Sequence, residues 1–258
     1  MSAAAVVLRQ IGFEQRAFWR NPPAAFFTVV FPLMFLFIFN VLFGNEEVTL
    51  PTGESASGST FFIPAIVTFS VISACYTNIA IGVAFARDQG VLKRIRGTPL
   101  PPWAYLGGRI GSAIGIGLIL TVVVTAVGAL VYGVDVPTNT LPAVVLTLVV
   151  ASAAFAALGL AVTAIVPNAD AAPAVVNASI LPLLFFSNVF IPLEDAAPWV
   201  DVVGYLFPVR HFAEAMQSAY NPFETGSGFE LQHLAVIAFW GVAGALLALR
   251  FFTWEPRK

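Results

Sequence analysis

The sequence predicts an all-α integral membrane fold: six transmembrane helices preceded by an amphipathic helix at the membrane surface. Two observations predict it. Apolar stretches at 24–43, 61–86, 103–132, 141–166, 173–193 and 231–252 each reach the ~20 residues needed to cross a hydrocarbon core of ~30 Å. One threading of these spans then collects eleven of the twelve Lys and Arg residues on a single side. They are Arg9, Arg16, Arg20, Arg87, Lys93, Arg94, Arg96, Arg250, Arg257 and Lys258, with Arg109 near the membrane face; Arg210 alone falls opposite. Cytoplasmic loops carry the excess of Lys and Arg, so both termini are expected in the cytoplasm of a multi-pass plasma-membrane protein. The acidic residues Glu46, Glu47, Glu54, Asp135, Glu194, Asp195, Asp201, Glu214, Glu224 and Glu230 sort to the outer side as weaker support. Moving the parity by one helix destroys this sorting.

Composition leaves no room for a separate soluble domain. The chain is 59% hydrophobic and 10% charged, with a mean hydropathy of +0.87 and a net charge of -2; ordinary soluble domains carry about 25% charge. The longest polar stretch, about 44–60, is a loop expected to be mobile, so residues 1–258 form one membrane domain. The weakly acidic balance speaks against nucleic-acid binding. The lone cysteine, Cys75, lies in the second apolar stretch, where a thiol is expected to be inert packing.

Residues 1–22 are expected to form the interfacial helix. Val7, Leu8, Ile11, Phe18 and Trp19 alternate there with Arg9, Glu14, Arg16 and Arg20, and Pro22-Pro23 then turn the chain inward. The apolar run that follows is too long for a signal-peptide core and has no Ala-x-Ala-like site after it. Span one is aromatic, with Phe26, Phe27, Phe31, Phe35, Phe37, Phe39 and Phe43. Span three carries Gly107, Gly111 and Gly115 at four-residue spacing, a stripe that lets helices approach closely, more readily within the bundle than at a dimer seam. The loop near 133–140 is short enough to make spans three and four an antiparallel hairpin. Two segments exceed the length of a simple turn, 87–102 on the inside and 192–230 on the outside, and function is sought there first.

No catalytic or metal-ligating set emerges. The chain has no phosphate-binding Gly-x-x-x-x-Gly-Lys-Ser/Thr loop, no His-Glu-x-x-His and no Cys/His cluster, and His211 and His233 lack convincing further ligands. No Asp, Glu or Lys sits deep in a span, which argues against a proton-coupled pump. Arg109 is close enough to the inner face to snorkel. Asn40, Thr77, Asn78, Asn177 and Asn188 are the polar residues in apolar surroundings, equally suited to interhelical hydrogen bonds and to ligand contact. In the inner segment, Val91, Leu92 and Ile95 share one face of a short helix, Lys93, Arg94 and Arg96 occupy the rest, and Gly97 and Pro99 end it. Such a helix suits anionic lipid, and it equally suits a groove on a cytoplasmic partner.

That segment resembles the hallmark of the ABC-2 type permeases of bacterial ABC exporters, close to Arg-Glu-x-Gly-Thr-Leu-Glu-x-Leu-x-x-Thr-Pro-Leu. This chain answers with Arg87, Asp88, Gly90, Leu92, Ile95, Thr98, Pro99 and Leu100, and departs with Asp88 for Glu, Val91 for Thr and Lys93 for Glu. A second likeness runs through Ser187-Asn188-Val189-Phe190-Ile191-Pro192, Pro198-Trp199 and Phe207-Pro208-Val209-Arg210, where Asn188 replaces the usual Gly. Within the family the chain is most similar to permeases of the daunorubicin-resistance type.

The resemblance implies that 87–99 is a coupling helix docking on a separate nucleotide-binding ATPase subunit, through Arg87, Asp88, Gly90, Leu92, Arg94, Ile95, Arg96, Thr98 and Pro99. It implies short outer re-entrant helices before the last span, with Pro192, Pro208, Arg210, His211 and Glu214 as an outer gate. A substrate pathway drawn from spans one, two and five would use Phe31, Phe35, Asn40, Asn78, Phe185, Phe186 and Asn188. No cofactor is expected on this chain: ATP and Mg belong to the partner, and a second copy or a similar permease completes the transporter. The implied substrate is lipophilic, a drug-like compound exported in multidrug efflux or a lipid. A lipid-linked glycan is the alternative within transport. An integral membrane lipid-modifying enzyme built on Arg210, His211 and Glu214 is the alternative outside it.

Overall fold

Ser2 starts the first helix by accepting a 3.3 Å hydrogen bond from the Ala5 amide on its hydroxyl, and α1 then runs Ala3–Trp19. The computed structural model describes residues 2–44, 46–49, 55–190, 193 and 197–255. Prolines in the first turn open α2 (Pro22–Phe43), where a missing N–H costs nothing. A small antiparallel hairpin follows, β1 (Glu47–Thr49) on β2 (Ser55–Ser57), with Val48 opposite Ala56. Within the loop expected over 44–60, residues 47–49 and 55–57 are therefore paired strands, and 58–60 already belong to the next helix.

The second apolar stretch is a continuous helix with one widened turn: α3 (Gly58–Ile72), a π-helical turn (Ser73–Thr77) and α4 (Asn78–Asp88). The π turn aims Cys75 Sγ at the Ala113 carbonyl (3.5 Å) and Tyr76 Oη at Ser179 Oγ (2.7 Å), joining three helices at mid-bundle. After a sharp corner come α5 (Val91–Arg96) and α6 (Pro102–Tyr132). The remaining helices are α7 (Leu141–Val162), α8 (Ala172–Phe185), α9 (Pro198–Leu206), α10 (Pro208–Tyr220) and α11 (Leu231–Phe251).

Five of these helical runs are long and apolar enough to cross a membrane: α2, α3–α4, α6, α7 and α11. The stretch expected to be a fifth span over 173–193 differs. Its helix α8 holds 14 residues, about 21 Å at 1.5 Å per residue, short of a ~30 Å core. It stops because the backbone reverses at Asn188, which adopts φ 54°, a left-handed conformation that asparagine tolerates. The stretch expected over 141–166 also ends early, at Val162; its last carbonyls, of Leu160, Ala161 and Val162, accept from Thr163 Oγ1 and from the Ala164 and Ile165 amides of the turn that follows.

Burial separates a centre from a periphery. The most apolar windows of α3–α4 and α7 are 72% and 67% buried, against 17% for α2 and 22% for α11, so the latter two form outer walls. All of α10 is buried, despite its Arg, His, Glu and Gln side chains. In lipid this packing is held by van der Waals contact and polar pairing, because hydrocarbon supplies no hydrophobic drive between helices.

The glycine stripe has a specific occupant. α1 runs alongside α6 in the same direction, setting Val7 on Gly107, Gln10 on Gly108, Ile11 on Gly111 and Gln15 on Gly115. Gln15 Nε2 donates to the Ser112 carbonyl at 2.9 Å, and Glu14, 8% exposed, pairs with Arg109 at 3.2 Å. The N-terminal helix is thus seated lengthwise on α6. At 31 residues α6 is about 46 Å long and overhangs a ~30 Å core, which leaves room for that seat.

The stripe sets unequal tolerances. A Cβ at Gly107 would meet Val7 at an ordinary 3.7 Å, whereas one at Gly108 would meet the Gln10 Cβ at 2.8 Å. Gly108→Ala should therefore cost about 1–3 kcal/mol and expose α1 to protease. Gly107→Ala should leave both unchanged. Thermal unfolding and limited proteolysis of the purified variants check this.

Candidate functional site

The corner between α4 and α5 is built on a buried arginine. Gly90, at φ 70°, turns the chain where a side chain would strain it, and α5 leaves at an angle to α4. Arg87, 1% exposed, points inward: Nη1 donates to the Thr163 carbonyl (3.0 Å), and Nη2 to the carbonyls of Val166 (2.7 Å) and Pro167 (3.3 Å). Nη1 also reaches Thr253 Oγ1 at 3.4 Å. Asp88 accepts from the Ala169 amide at 2.5 Å and lies 3.5 Å from Arg87 Nε. The first two residues of the expected ATPase-coupling set therefore staple α4 to the α7–α8 link and to the chain after α11.

Leu92 is also turned inward, at 0% exposure, with the half-buried Ile95 packed beside it against the core. The apolar ridge expected to enter a partner is thus already occupied by this chain. What α5 leaves exposed is Val91, Lys93, Arg94 and Arg96, followed by Gly97, Thr98 and Pro99. Arg96 lies 4.0 Å from Glu255, and Thr98 Oγ1 closes the helix by donating to the Ile95 carbonyl at 2.6 Å.

At the other end of α2 lies an apolar groove of about 700 Å³. Phe31, Phe35, Phe39 and Phe43 recur every four residues and so share one face of α2. Phe62 and Phe69 from α3 and Phe190 after α8 close round them: Phe39 stacks on Phe62 at 5.0 Å, and Phe35 lies 5.5 Å from Phe69 and 5.9 Å from Phe190. Of the pathway residues expected from sequence, Phe31, Phe35 and Phe185 line this groove. Phe186 instead meets Trp199 edge-on at 5.6 Å, and Asn40 donates to the Leu36 carbonyl within α2 at 2.8 Å. Asn78 donates to Thr28 Oγ1 at 2.9 Å and borders a separate pocket of about 200 Å³ beside Glu14 and Arg109.

Asn188 belongs to a third place, the buried polar cluster around α10. Arg210 there pairs with Glu214 (2.7 Å) and Asp201 (2.6 Å), and its guanidinium lies 4.0 Å from the Tyr205 ring centre. Glu214 also accepts from the Tyr205 hydroxyl (3.0 Å) and from Asn188 Nδ2 (3.5 Å). Asn188 takes the Leu193 amide on Oδ1 (2.9 Å) and the Gln217 amide on its carbonyl (3.0 Å). An asparagine at this left-handed turn thus supplies a side chain that glycine lacks. His211 Nε2 faces the Tyr205 carbonyl at 3.0 Å, so it donates there, and its Nδ1 lies 2.8 Å from His233 Nδ1, one of the two donating to the other. His233 Nε2 is left 3.7 Å from Glu214. Pro208 opens α10, and Pro192 lies outside the described residues. The structure brings Arg210, His211 and Glu214 together, with Asp201, Tyr205, Gln217 and His233 as partners the sequence reading missed.

The four-residue repeat of Phe31 to Phe43 was the available signal for the groove. Phe62, Phe69 and Phe190 carry no such signal, because their faces depend on how α3 and the turn after α8 pack. Among the described residues no cluster of three or more His, Cys, Asp or Glu is arranged to hold a metal ion.

These features agree with the relatives of the chain. Residues 10–221 match the model of the ABC-2 type transporter family. The inner membrane transport permease YadH of Escherichia coli (strain K12) is 23% identical over 224 residues, covering 85% of this chain and 87% of that protein. The probable multidrug ABC transporter permease YbhR of the same organism is 21% identical over 160 residues, 62% of this chain and 43% of that one. The putative transport permease ycf38 of Porphyra purpurea is 24% identical over 205 residues, 79% and 69% respectively. A match extending from α1 to the end of α10, over the α5 corner, the groove and the buried polar cluster alike, establishes that this chain belongs to the ABC-2 type transporter family.

Proposed function

We propose that this membrane transport permease works as half of an ATP-driven exporter of a lipophilic substrate across a bacterial plasma membrane. A separate nucleotide-binding ATPase subunit docks on α5, and a second copy or a similar permease completes the pathway. The observation that carries this reading is the α5 corner. Its exposed face is basic, and its inward face is tied through Arg87 and Asp88 to the ends of three other helices. A push on α5 is therefore delivered to α4, α7, α8 and the chain after α11 together, as a mechanical input must be. The name of YbhR, a probable multidrug ABC transporter permease, supports the drug-like form of that substrate.

In this reading the basic end is cytoplasmic, and α8 with its turn makes the fifth crossing before α9 and α10 re-enter from outside. ATP binding draws two ATPase subunits together and favours one of two packings of the permease pair. The groove on the weakly buried α2 gives the lipophile its path, and the Arg210 cluster holds the outer end as a gate.

Ser57→Cys, in a Cys75→Ala background, should react with an impermeant thiol reagent in intact cells, and Arg94→Cys should react only after the membrane is opened. Labelling of Arg94→Cys from outside overturns the orientation. The double reversal Lys93→Glu and Arg94→Glu should leave the permease folded yet weaken co-purification of its ATPase about tenfold or more. Leu92→Asp should instead lose the permease itself, because an unpaired carboxylate would be buried in its core. Arg210→Ala leaves Glu214 uncompensated in a buried setting. Export should fall severalfold while basal ATP hydrolysis by the partner persists, measured on the reconstituted complex.

A further inference from the structure

We propose that the pocket of about 200 Å³ beside Glu14 and Arg109 is a lipid site. It seats the headgroup of a zwitterionic phospholipid that carries a primary ammonium, the chemistry of phosphatidylethanolamine. The site is separate from the phenylalanine groove and stands whether or not the chain exports. It lies where α1, α2, α4 and α6 meet, with Phe18, Ile79 and Ile116 beside its polar residues. Its depth suits a headgroup. α2 measures about 33 Å at 1.5 Å per residue and so just covers a ~30 Å hydrocarbon core. Asn21, which precedes α2 and lines the pocket, therefore lies where hydrocarbon gives way to the polar layer. The volume is below the ~300–1,000 Å³ of sites that hold drug-sized ligands.

Both charged ends of such a headgroup find open partners. Arg109 uses only Nε within the protein: it lies 3.2 Å from Glu14 Oε2 and donates to the Tyr105 hydroxyl at 3.2 Å. Among the described residues Nη1 and Nη2 have no hydrogen-bond partner, and this fork matches two oxygens of a phosphate. Ser112, 5% exposed, also lines the pocket, and no described residue pairs with its hydroxyl. A buried hydroxyl left unpaired costs free energy that a ligand oxygen would recover. The acceptors stand beside these donors. Glu14 takes Gln10 Nε2 on Oε1 at 2.8 Å and keeps lone pairs free on both oxygens. Asn78 donates its amide to Thr28 and retains Oδ1. Taken together Glu14 and Arg109 are neutral, so an anion alone meets the carboxylate and a cation alone meets the guanidinium. A zwitterion answers both. A primary ammonium also gives N–H groups to Glu14 and Asn78, which a trimethylated one cannot.

The full chain, stripped of lipid in a non-ionic detergent, is titrated with dioleoyl phosphatidylethanolamine, phosphatidylcholine and phosphatidylglycerol, and bound lipid is counted by native mass spectrometry. A parallel titration uses glycerophosphoethanolamine, the same headgroup without acyl chains. Phosphatidylethanolamine should bind saturably, about tenfold tighter than the other two lipids, which corresponds to about 1.4 kcal/mol. Glycerophosphoethanolamine should not saturate in the same range. Ser112→Ala should weaken phosphatidylethanolamine severalfold at unchanged thermal stability. Glu14→Gln combined with Arg109→Gln removes the pair without leaving either charge alone, and should erase the preference among the lipids. The proposal is overturned if phosphatidylethanolamine does not saturate, or if either other lipid binds as tightly. It also fails if Ser112→Ala binds like the native chain or if the double variant keeps the preference. Saturation by glycerophosphoethanolamine at the lipid's own concentration would make the ligand a soluble zwitterion and sink the lipid site.

Discussion

A guanidinium buried at 1% exposure is tolerable only where every neighbour answers its charge, and Arg87 shows what that requirement builds. Moving such an ion out of water costs several kcal/mol, and the return comes from carbonyl oxygens at hydrogen-bonding distance and from the charge of a carboxylate 3.5 Å away. The carbonyls of Thr163, Val166 and Pro167 are those that α7 and the chain just after it cannot satisfy internally. One side chain thereby solves two problems, its own desolvation and the unpaired carbonyls of the link after α7. It also brings α4, α7, the start of α8 and the chain after α11 to one point. α5 stands on that point, so its exposed basic face is the outward side of a rigid joint.

The opposite end of the bundle follows the same logic with different chemistry. Here α10 is wholly buried although it carries Arg210, His211, Glu214 and Gln217, and each of these groups finds a partner on α9, α11 or the turn after α8. Between the two polar anchorages the helices meet largely through small and apolar residues, with the Cys75 and Tyr76 contacts of the π turn as polar links at mid-bundle. The α2 wall is bound least, with most of its surface open and its phenylalanines facing a groove. A molecule stiff at both ends and lightly held along one wall is suited to a rigid-body exchange between two packings, in which α2 shifts more easily than α3–α4 or α7.

Some of this is written in residue spacing. Apolar stretches and the sidedness of Lys and Arg mark the long helices, because crossing hydrocarbon demands length and apolarity of each segment on its own account. Gly107, Gly111 and Gly115 announce a close helix contact, and Phe31 to Phe43 announce one aromatic face. The i,i+4 spacing of Arg210 and Glu214 allows their pair, and the pair forms. Other features were hidden. Arg87 and Asp88 look like surface residues of a docking motif, but their direction depends on where the end of α7 lies. Leu92 and Ile95 form an apolar stripe that serves equally as a free ridge or as a root in the core. The 14-residue length of α8 follows from a reversal at Asn188, which an uninterrupted apolar run conceals.

The sequence by itself determined properties that belong to single segments: which stretches are helical and apolar, which face of α2 is aromatic, and which part of α6 admits a neighbour. These depend on interactions among residues three or four apart, or between one segment and its solvent. Only the tertiary structure decided the occupant of the glycine stripe, the inward turn of Arg87 and Leu92, and the company that Glu214 keeps. Each of those is a contact between residues tens of positions apart, such as Arg87 with Thr163 or His211 with His233. Such contacts arise when buried polar groups must find partners wherever the packed helices present them, and that placement is a property of the whole bundle.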